Sequence, residues 1–118
     1  MNTKFYVSFD TAKLLEEKGC NIERDFLTHV YKENGHLYWS SHEDLSNEIP
    51  APTKAEAIDW IESNGIIIEV LQDYRGLWFY VIKISETESY VSESDDKYFP
   101  TRLEAEEAAI NKVLTEFL

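Results

Sequence analysis

The chain has 118 residues and a formal net charge of −12, from 23 acidic and 11 basic residues. This length is typical of one domain, residues 1–118, and is too short for two substantial cores. The negative charge disfavours direct binding to nucleic acids and to anionic membranes, because both bind basic surfaces.

The lone cysteine, Cys20, excludes an intrachain disulfide and any site built from several cysteine ligands within one chain. A reducing compartment fits that composition best. The start of the sequence does not read as a signal peptide, and no run approaches the roughly 20 apolar residues of a membrane span. We therefore expect a soluble, unprocessed protein of the cytoplasm.

The first predicted elements are a strand and a short helix. Over residues 4–9 apolar residues alternate with more polar ones, which is the period of a strand with one buried face. Asp10 is then the predicted N-cap of a helix of about two turns over residues 11–18. Gly19 can close this helix in the left-handed backbone conformation.

The dipeptide Asn34-Gly35 predicts a two-residue hairpin turn between strands 28–32 and 37–41. Such a turn pairs Glu33 with His36 and thereby sets the register of the two strands. The further predicted pairs are His29 with Ser40, Val30 with Trp39, Tyr31 with Tyr38, and Lys32 with Leu37. Aromatic residues then lie on both faces of the hairpin.

Two segments carry the same helix-start signal, a threonine followed three positions later by a glutamate, which can close a capping box. The first predicts a helix from Thr53 to about Asn64, after an extended connector that ends in Pro50-Ala51-Pro52. The second predicts a final helix that begins beyond Thr101. Apolar residues at helical spacing mark the buried stripes, namely Ala57, Ile58 and Ile61 in the first helix and Leu103, Ile110, Val113, Leu114 and Phe117 in the second.

Segments 66–71 and 77–84 are rich in β-branched and aromatic residues, and the short loop 72–76 joins them in a predicted central hairpin. Both faces of the second strand are apolar, so at least one face must be covered, and we expect helices to cover it. A weaker strand is predicted over residues 89–93. The predicted fold is α+β, an antiparallel sheet built from hairpins with two or three helices packed on it in a single domain.

Few residues suggest a metal or catalytic site. The candidate metal cluster consists of His29, His36, His42, Glu43 and Asp44. In the predicted register His29 and His36 lie about 13 Å apart, whereas the ligands of one ion converge within a few ångströms. Asp59 and Glu62 have no neighbour that would raise one pKa for acid catalysis, and Cys20 has no anchored base. We expect no metal, no cofactor and no catalytic residues.

The sequence that follows the central hairpin is strongly acidic. Its carboxylates could stay solvated, bind a hard cation such as calcium, or face a basic partner. Their spacing matches no calcium-binding loop, which favours a solvated acidic edge. This predicted edge consists of Glu86, Glu88, Glu93, Asp95 and Asp96.

The aromatic residues are the feature that most favours a binding function. Burying all of them would require many partners for their hydroxyl groups, and Tyr and Trp are enriched at protein interfaces. Packing in the core or at its edge is the alternative, and the commoner one in a small domain. The predicted partner-contact residues are Tyr31, Tyr38, Tyr74, Trp78 and Tyr80.

Three segments occur in a characteristic order: VSFDTAKLLEEKG at 7–19, IPAPT at 49–53 leading into AIDWI at 57–61, and TRLEAEEAAINKVL at 101–114. With the aromatic hairpin before the last segment, the chain resembles, over nearly its whole length, an uncharacterised family of small proteins encoded by bacteriophages and prophages of gut bacteria. The resemblance implies a phage-infected or lysogenic bacterial cytoplasm. It implies no mechanism, because the family has no assigned catalytic residues.

We therefore expect a non-enzymatic accessory protein that acts through contacts with another protein. One alternative is an acidic DNA mimic that occupies the basic groove of a host nucleic-acid-binding protein, which requires carboxylates spaced like phosphates. A less favoured alternative is a small enzyme whose carboxylates come from two elements. The sequence leaves open whether an exposed sheet edge pairs with a second copy of the chain.

Overall fold

The structure is a computed structural model that describes residues 5–20, 29–31, 35–39, 49–92 and 97–118. In chain order its elements are α1 (Phe9–Glu17), β1 (His29–Tyr31), β2 (Leu37–Trp39), β3 (Ile49–Pro50), α2 (Lys54–Ser63), β4 (Ile67–Gln72), β5 (Trp78–Lys83), β6 (Ser89–Val91) and α3 (Arg102–Lys112), which continues as a π-helical turn, Val113–Phe117. The strands pair antiparallel in two three-stranded sheets, ordered β2-β1-β3 and β4-β5-β6. The predicted α+β class is confirmed, with the hairpins divided between two sheets.

Helix α1 starts at Phe9, two residues earlier than predicted, and residues 5–8 do not form the predicted strand. Its N-cap is Ser8 rather than Asp10, because the Ser8 hydroxyl accepts a hydrogen bond from the N–H of Thr11 at 3.2 Å. The first N–H groups of a helix have no partner within the helix, so a serine that satisfies one of them stabilises the earlier start. The strand and N-cap predictions were therefore wrong.

Strands β1 and β2 form the predicted hairpin, but the predicted register was wrong by one residue. The observed pairs are His29 with Trp39, Val30 with Tyr38, and Tyr31 with Leu37. Five residues, 32–36, separate the last pair, whereas a two-residue turn requires an even number between paired positions. Gly35 has a left-handed φ of +79°, as the glycine of a three-residue hairpin loop does.

The segment predicted as an extended connector supplies a short edge strand. Strand β3 lies beside β1, with Pro50 opposite Val30 and Ile49 opposite Tyr31. Proline is tolerated at this position because an edge strand does not use every N–H in the ladder. The preceding predicted connector, residues 41–48, lies outside the described residues.

The predictions for α2 and for the start of α3 are confirmed. Thr53 and Glu56 form both halves of a capping box, with N···O distances of 2.9 and 3.1 Å. Gly65 ends α2 with a φ of +88°. At the start of α3 the Thr101 hydroxyl accepts a hydrogen bond from the N–H of Glu104 at 3.2 Å.

The main core lies between the second sheet and the helices. Helix α3 packs on β4 and β5, as predicted, and α2 contacts both α3 and β4. Fully buried side chains from these elements form the centre of the core, namely Ile61, Tyr80, Ile82, Ile110 and Leu114. The helices thus cover one face of the β4-β5-β6 sheet.

Candidate functional site

The five predicted partner-contact aromatics lie in different environments. Tyr31 and Tyr80 belong to the core, with 8% and 2% of their surface exposed. Their role is therefore packing in the core rather than contact with a partner. Trp78 is half-buried, and Tyr74 is 96% exposed. The side chain of Tyr38 lies outside the described residues. The surface candidates with a described side chain are therefore Tyr74 and Trp78.

Tyr31 is held in the core by a hydrogen bond from its hydroxyl to the Val7 carbonyl at 2.6 Å. Burial raises the pKa of Tyr31, and the negative charge of Glu107 raises it further. The folded state therefore favours the neutral phenol. This contribution to stability is complete below the ordinary tyrosine pKa of about 10 and is lost as the pH rises through the higher folded-state value.

Replacing Tyr31 with phenylalanine is expected to lower the free energy of unfolding by about 1 kcal/mol at pH 7, because the hydrogen bond to Val7 is lost. Above about pH 10 the advantage of the wild type over Tyr31→Phe should shrink, since the Tyr31 phenol ionises in the unfolded state at a lower pH than in the folded state, which favours unfolding of the wild type alone. Urea denaturation at pH 7 and pH 10.5 measures both effects, with the exposed Tyr74→Phe as control. A constant difference between wild type and Tyr31→Phe at the two pH values would contradict the prediction.

The predicted acidic edge is described only in part. Glu86 and Glu88 are exposed in the loop between β5 and β6, while Glu93, Asp95 and Asp96 lie outside the described residues. Within the part of the chain that the structure describes, no three His, Cys, Asp or Glu residues form a group that could hold a metal ion.

The other candidate chemical residues that the structure describes belong to no group of three or more potential metal ligands. His36, Asp59 and Glu62 are exposed, and Cys20 is half-buried at the end of α1. The side chain of His29, and all of His42, Glu43 and Asp44, lie outside the described residues.

The face of the β4-β5-β6 sheet that points away from α2 and α3 is called the open face here. Strand alternation and pairing place on it Ile67, Glu69, Leu71, Phe79, Val81, Lys83, Ser89 and Val91. Ile67 and Leu71 are 42% and 43% exposed. One ion pair, between Lys83 Nζ and Glu69 Oε1 at 2.6 Å, interrupts an otherwise largely apolar surface. The open face is thus an apolar surface separate from the core.

The tip of the β4-β5 hairpin adjoins the open face. The side chain of Arg75 stabilises its conformation. Its guanidinium donates two hydrogen bonds to Asp73 Oδ2, at 2.8 and 3.0 Å, and stacks 4.4 Å from the ring centre of Tyr98. Partial desolvation acts to raise the pKa of Asp73, but the hydrogen bonds from Arg75 and Leu77 outweigh it and lower that pKa. With Tyr74 beside it, the tip presents the residue types most often found at the centre of protein interfaces.

A separate feature is an open depression of about 820 Å³ that lies along α3 and beside the first turns of α1 and α2, and we call it the helix-start cavity. Its wall includes Ser8 and Thr11 from α1, Lys54 from α2, and Glu107 from α3. Three elements that are distant in sequence therefore contribute polar groups to one space.

Glu107 joins α3 to the start of α1. Its Oε1 accepts hydrogen bonds from the Ser8 N–H at 3.0 Å and from the Thr11 hydroxyl at 2.7 Å. In a capping box the carboxylate that binds the N-cap N–H comes from the same helix, whereas here it comes from another helix. Its second oxygen, Oε2, is buried and has no hydrogen-bond partner among the described residues.

Lys54 is the first residue of α2 and is only 7% exposed. No carboxylate of the described residues lies within ion-pair distance of its ammonium group. The side chain lies in the wall of the helix-start cavity and also borders a smaller cavity of about 520 Å³. Its Nζ is not among the buried atoms without a hydrogen-bond partner, so the methylene chain is buried while the ammonium group reaches solvent.

The sequence interpretation did not single out Lys54 or Glu107. One signal for Glu107 was present, because the apolar stripe of α3 has a gap between Leu103 and Ile110. Helical spacing predicts an apolar residue at 106 or 107, and both positions hold glutamate. In the structure Glu106 is buried and Glu107 is half-buried. The gap in the apolar stripe therefore corresponds to carboxylates that lie wholly or partly inside the protein.

Comparisons with known proteins give no relative from which function could be transferred. No protein-family model, curated protein or solved structure matches this chain. Among the described helices, none is long and apolar enough to cross a membrane. Functional inference therefore rests on the two surfaces described above.

Proposed function

We propose that this protein acts without catalysis, by binding another protein through the open face and strand β4, which is an edge strand of the sheet that the described residues form. The observation that carries the proposal is the exposure of Ile67 and Leu71 on that strand. In the sheet order β4-β5-β6, β4 is an edge of six residues. It contains no proline or lysine, which natural edge strands use to prevent pairing with other chains, and its one charged residue, Glu69, is paired with Lys83.

The partner's chemistry follows from charge and geometry. An extended segment can add to an exposed sheet edge through main-chain hydrogen bonds, with its alternate side chains on the apolar face. The net charge of −12 favours a partner segment flanked by Lys or Arg and opposes association of two copies of this chain. We propose a basic protein that presents an apolar strand.

The proposed setting is a phage-infected or lysogenic bacterial cytoplasm, and the partner there is a host protein. This part of the proposal is supported by the resemblance of segments 7–19, 49–61 and 101–114 to phage and prophage proteins. The acidic composition and the single cysteine agree with it.

The experiment is capture from a bacterial lysate by the tagged wild type and by two surface variants. Ile67→Ser/Leu71→Ser removes the exposed apolar groups of the open face, and Phe5→Ser removes a 53% exposed apolar group elsewhere. We expect a basic protein to be retained by the wild type and Phe5→Ser, and its binding to fall at least about tenfold with the double variant.

Three outcomes would contradict this function. Equal capture by the double variant and the wild type would remove the open face from the interaction. Loss of capture only in Glu86→Gln/Glu88→Gln would favour the acidic DNA mimic. Self-association in analytical ultracentrifugation that disappears in the double variant would assign the open face to a second copy of the chain.

A further inference from the structure

The tip of the β4-β5 hairpin is a turn over residues 73–76 whose backbone is held by hydrogen bonds. The Gly76 N–H donates to the Asp73 carbonyl at 3.1 Å, and the Asp73 N–H donates to the Leu77 carbonyl at 2.8 Å. Gly76 has a left-handed φ of +86°, as the last residue of a three-residue hairpin loop does. Asp73 Oδ1 also accepts from the N–H groups of Arg75 and Leu77, at 2.8 and 3.1 Å. These bonds stabilise one conformation of the tip before any partner binds.

Tyr74 is the residue of the tip that the turn itself does not require. It follows Asp73, at a turn position that accepts most residue types and favours proline. Its side chain is 96% exposed, more than any other large hydrophobic side chain among the described residues. The Arg75 guanidinium lies 5.8 Å from its ring centre, close to the outer limit of a cation–π contact, and such a contact contributes little at an exposed site. Packing within this chain therefore does not explain a ring of this size.

The two charges of the tip neutralise each other. Arg75 donates from Nε and Nη2 to Asp73 Oδ2, at 3.0 and 2.8 Å. The tip is therefore locally neutral in a chain whose net charge is −12. An exposed aromatic ring on a neutral turn favours an apolar contact with a partner over an ionic one.

The tip is continuous with the open face. Phe99 pairs with Trp78 at the side of β5 away from β4, and strand alternation then places Tyr98 beside Phe79 on the open face. The Arg75 guanidinium stacks on that Tyr98 ring. Tyr74 is two residues beyond the end of β4, at most about 7 Å along the chain. A protein that covers β4 and the open face therefore reaches Tyr74.

We infer that Tyr74 inserts into an apolar pocket of the protein that the open face binds. The inference rests on the function proposed above and adds a specific contact to it. The ring fills the pocket, and its hydroxyl donates a hydrogen bond to an acceptor inside it, as buried tyrosine hydroxyls do. Because the turn is already ordered, binding costs little backbone entropy. A tyrosine in a pocket is among the residues that contribute most to binding energy.

The test titrates the protein that the wild type retains from the lysate, once purified, against wild type and four variants in a calorimeter. Tyr74→Ala removes the ring, and Tyr74→Phe removes only the hydroxyl. Phe5→Ala is the matched control, because Phe5 is a 53% exposed aromatic residue elsewhere. The fourth variant is Ile67→Ser/Leu71→Ser. Hydroxyl-radical footprinting of Tyr74, free and in the complex, measures whether the partner covers the ring.

We expect Tyr74→Ala to raise the Kd at least about tenfold and Phe5→Ala to leave it within about twofold. Tyr74→Phe should bind more tightly than Tyr74→Ala and less tightly than the wild type, because it keeps the ring and loses the hydrogen bond. Labelling of Tyr74 should fall in the complex. Circular dichroism of Tyr74→Ala checks that the fold is retained.

The result that overturns the Tyr74 contact alone is an unchanged Kd for Tyr74→Ala while Ile67→Ser/Leu71→Ser loses binding, since the open face would then act without the tip. Undiminished labelling of Tyr74 in the complex would also overturn it. Loss of binding in Tyr74→Ala but not in the double variant would support the Tyr74 contact and contradict the open face. Retention of no protein by the wild type would overturn both.

Discussion

Replacing Tyr80 with alanine is expected to lower the free energy of unfolding by about 4 kcal/mol, because large aromatic side chains in a core leave a large cavity when removed. Tyr80 is 2% exposed, and its ring centre lies 6.0 Å from that of Phe99 and 6.1 Å from that of Tyr90. Its backbone N–H donates to the buried hydroxyl of Ser92 at 3.0 Å, which fixes β5 at this point. Urea denaturation at pH 7 measures the change.

Tyr74→Ala is the matched control, since Tyr74 is 96% exposed and its replacement should change stability by less than about 0.5 kcal/mol. Comparing Tyr80→Ala with Tyr74→Ala also distinguishes the two roles considered for the aromatic residues, which are core packing and contact with a partner. A loss below about 1 kcal/mol for Tyr80→Ala would mean that Tyr80 is not part of the core, and would return it to the partner-contact candidates.

Replacing Glu107 with alanine is expected to lower the free energy of unfolding by about 2 kcal/mol. Hydrogen bonds to a charged acceptor contribute about 1.5–3 kcal/mol each, and two are lost, at the Ser8 N–H and the Thr11 hydroxyl. Removal of the buried, unpaired Oε2 offsets part of that loss. The start of α1 should lose order first, so amide hydrogen exchange of its first turn should accelerate more than that of α2.

Glu62→Ala is the control for removing a carboxylate, because Glu62 is exposed on α2 and its loss should cost less than about 0.5 kcal/mol. Glu107→Gln should lie between wild type and Glu107→Ala, since the amide oxygen can still accept hydrogen bonds without the charge. Equal stability of Glu107→Ala and Glu62→Ala, with unchanged exchange in α1, would rule out the capping role of Glu107.

The elements with strong local signals were predicted well from the sequence. The start of α2 is set by a threonine and a glutamate three residues apart, and the β4-β5 hairpin by two β-rich runs around a short loop. The register of β1 and β2 was missed because Asn34-Gly35 is compatible with more than one loop length, so the dipeptide alone does not set the register. The start of α1 was missed because residues 4–9 alternate like a strand, whereas the Ser8 hydroxyl stabilises a helix that begins at Phe9.

The candidate surfaces were predictable to different degrees. The apolar residues on both faces of β5 predicted that helices would cover at least one face, and α3 covers one, but the pattern did not indicate the state of the other face. The helix-start cavity was not predictable, because its wall combines residues of α1, α2 and α3, which come together only in the folded chain. The gap in the apolar stripe of α3 indicates that a carboxylate lies inside the protein. It does not show which residues that carboxylate contacts.

The bond between Ser8 and Glu107 has a consequence for the order of folding. It closes a loop of 99 residues, and a second contact, from Lys18 Nζ to the Leu118 carbonyl at 2.8 Å, closes one of 100. Bringing such distant positions together costs about 4 kcal/mol of chain entropy, which contacts made earlier must already have reduced. During synthesis the first turn of α1 is made 99 residues before the carboxylate that stabilises it. The start of α1 can therefore gain this stabilisation only after α3 has been made.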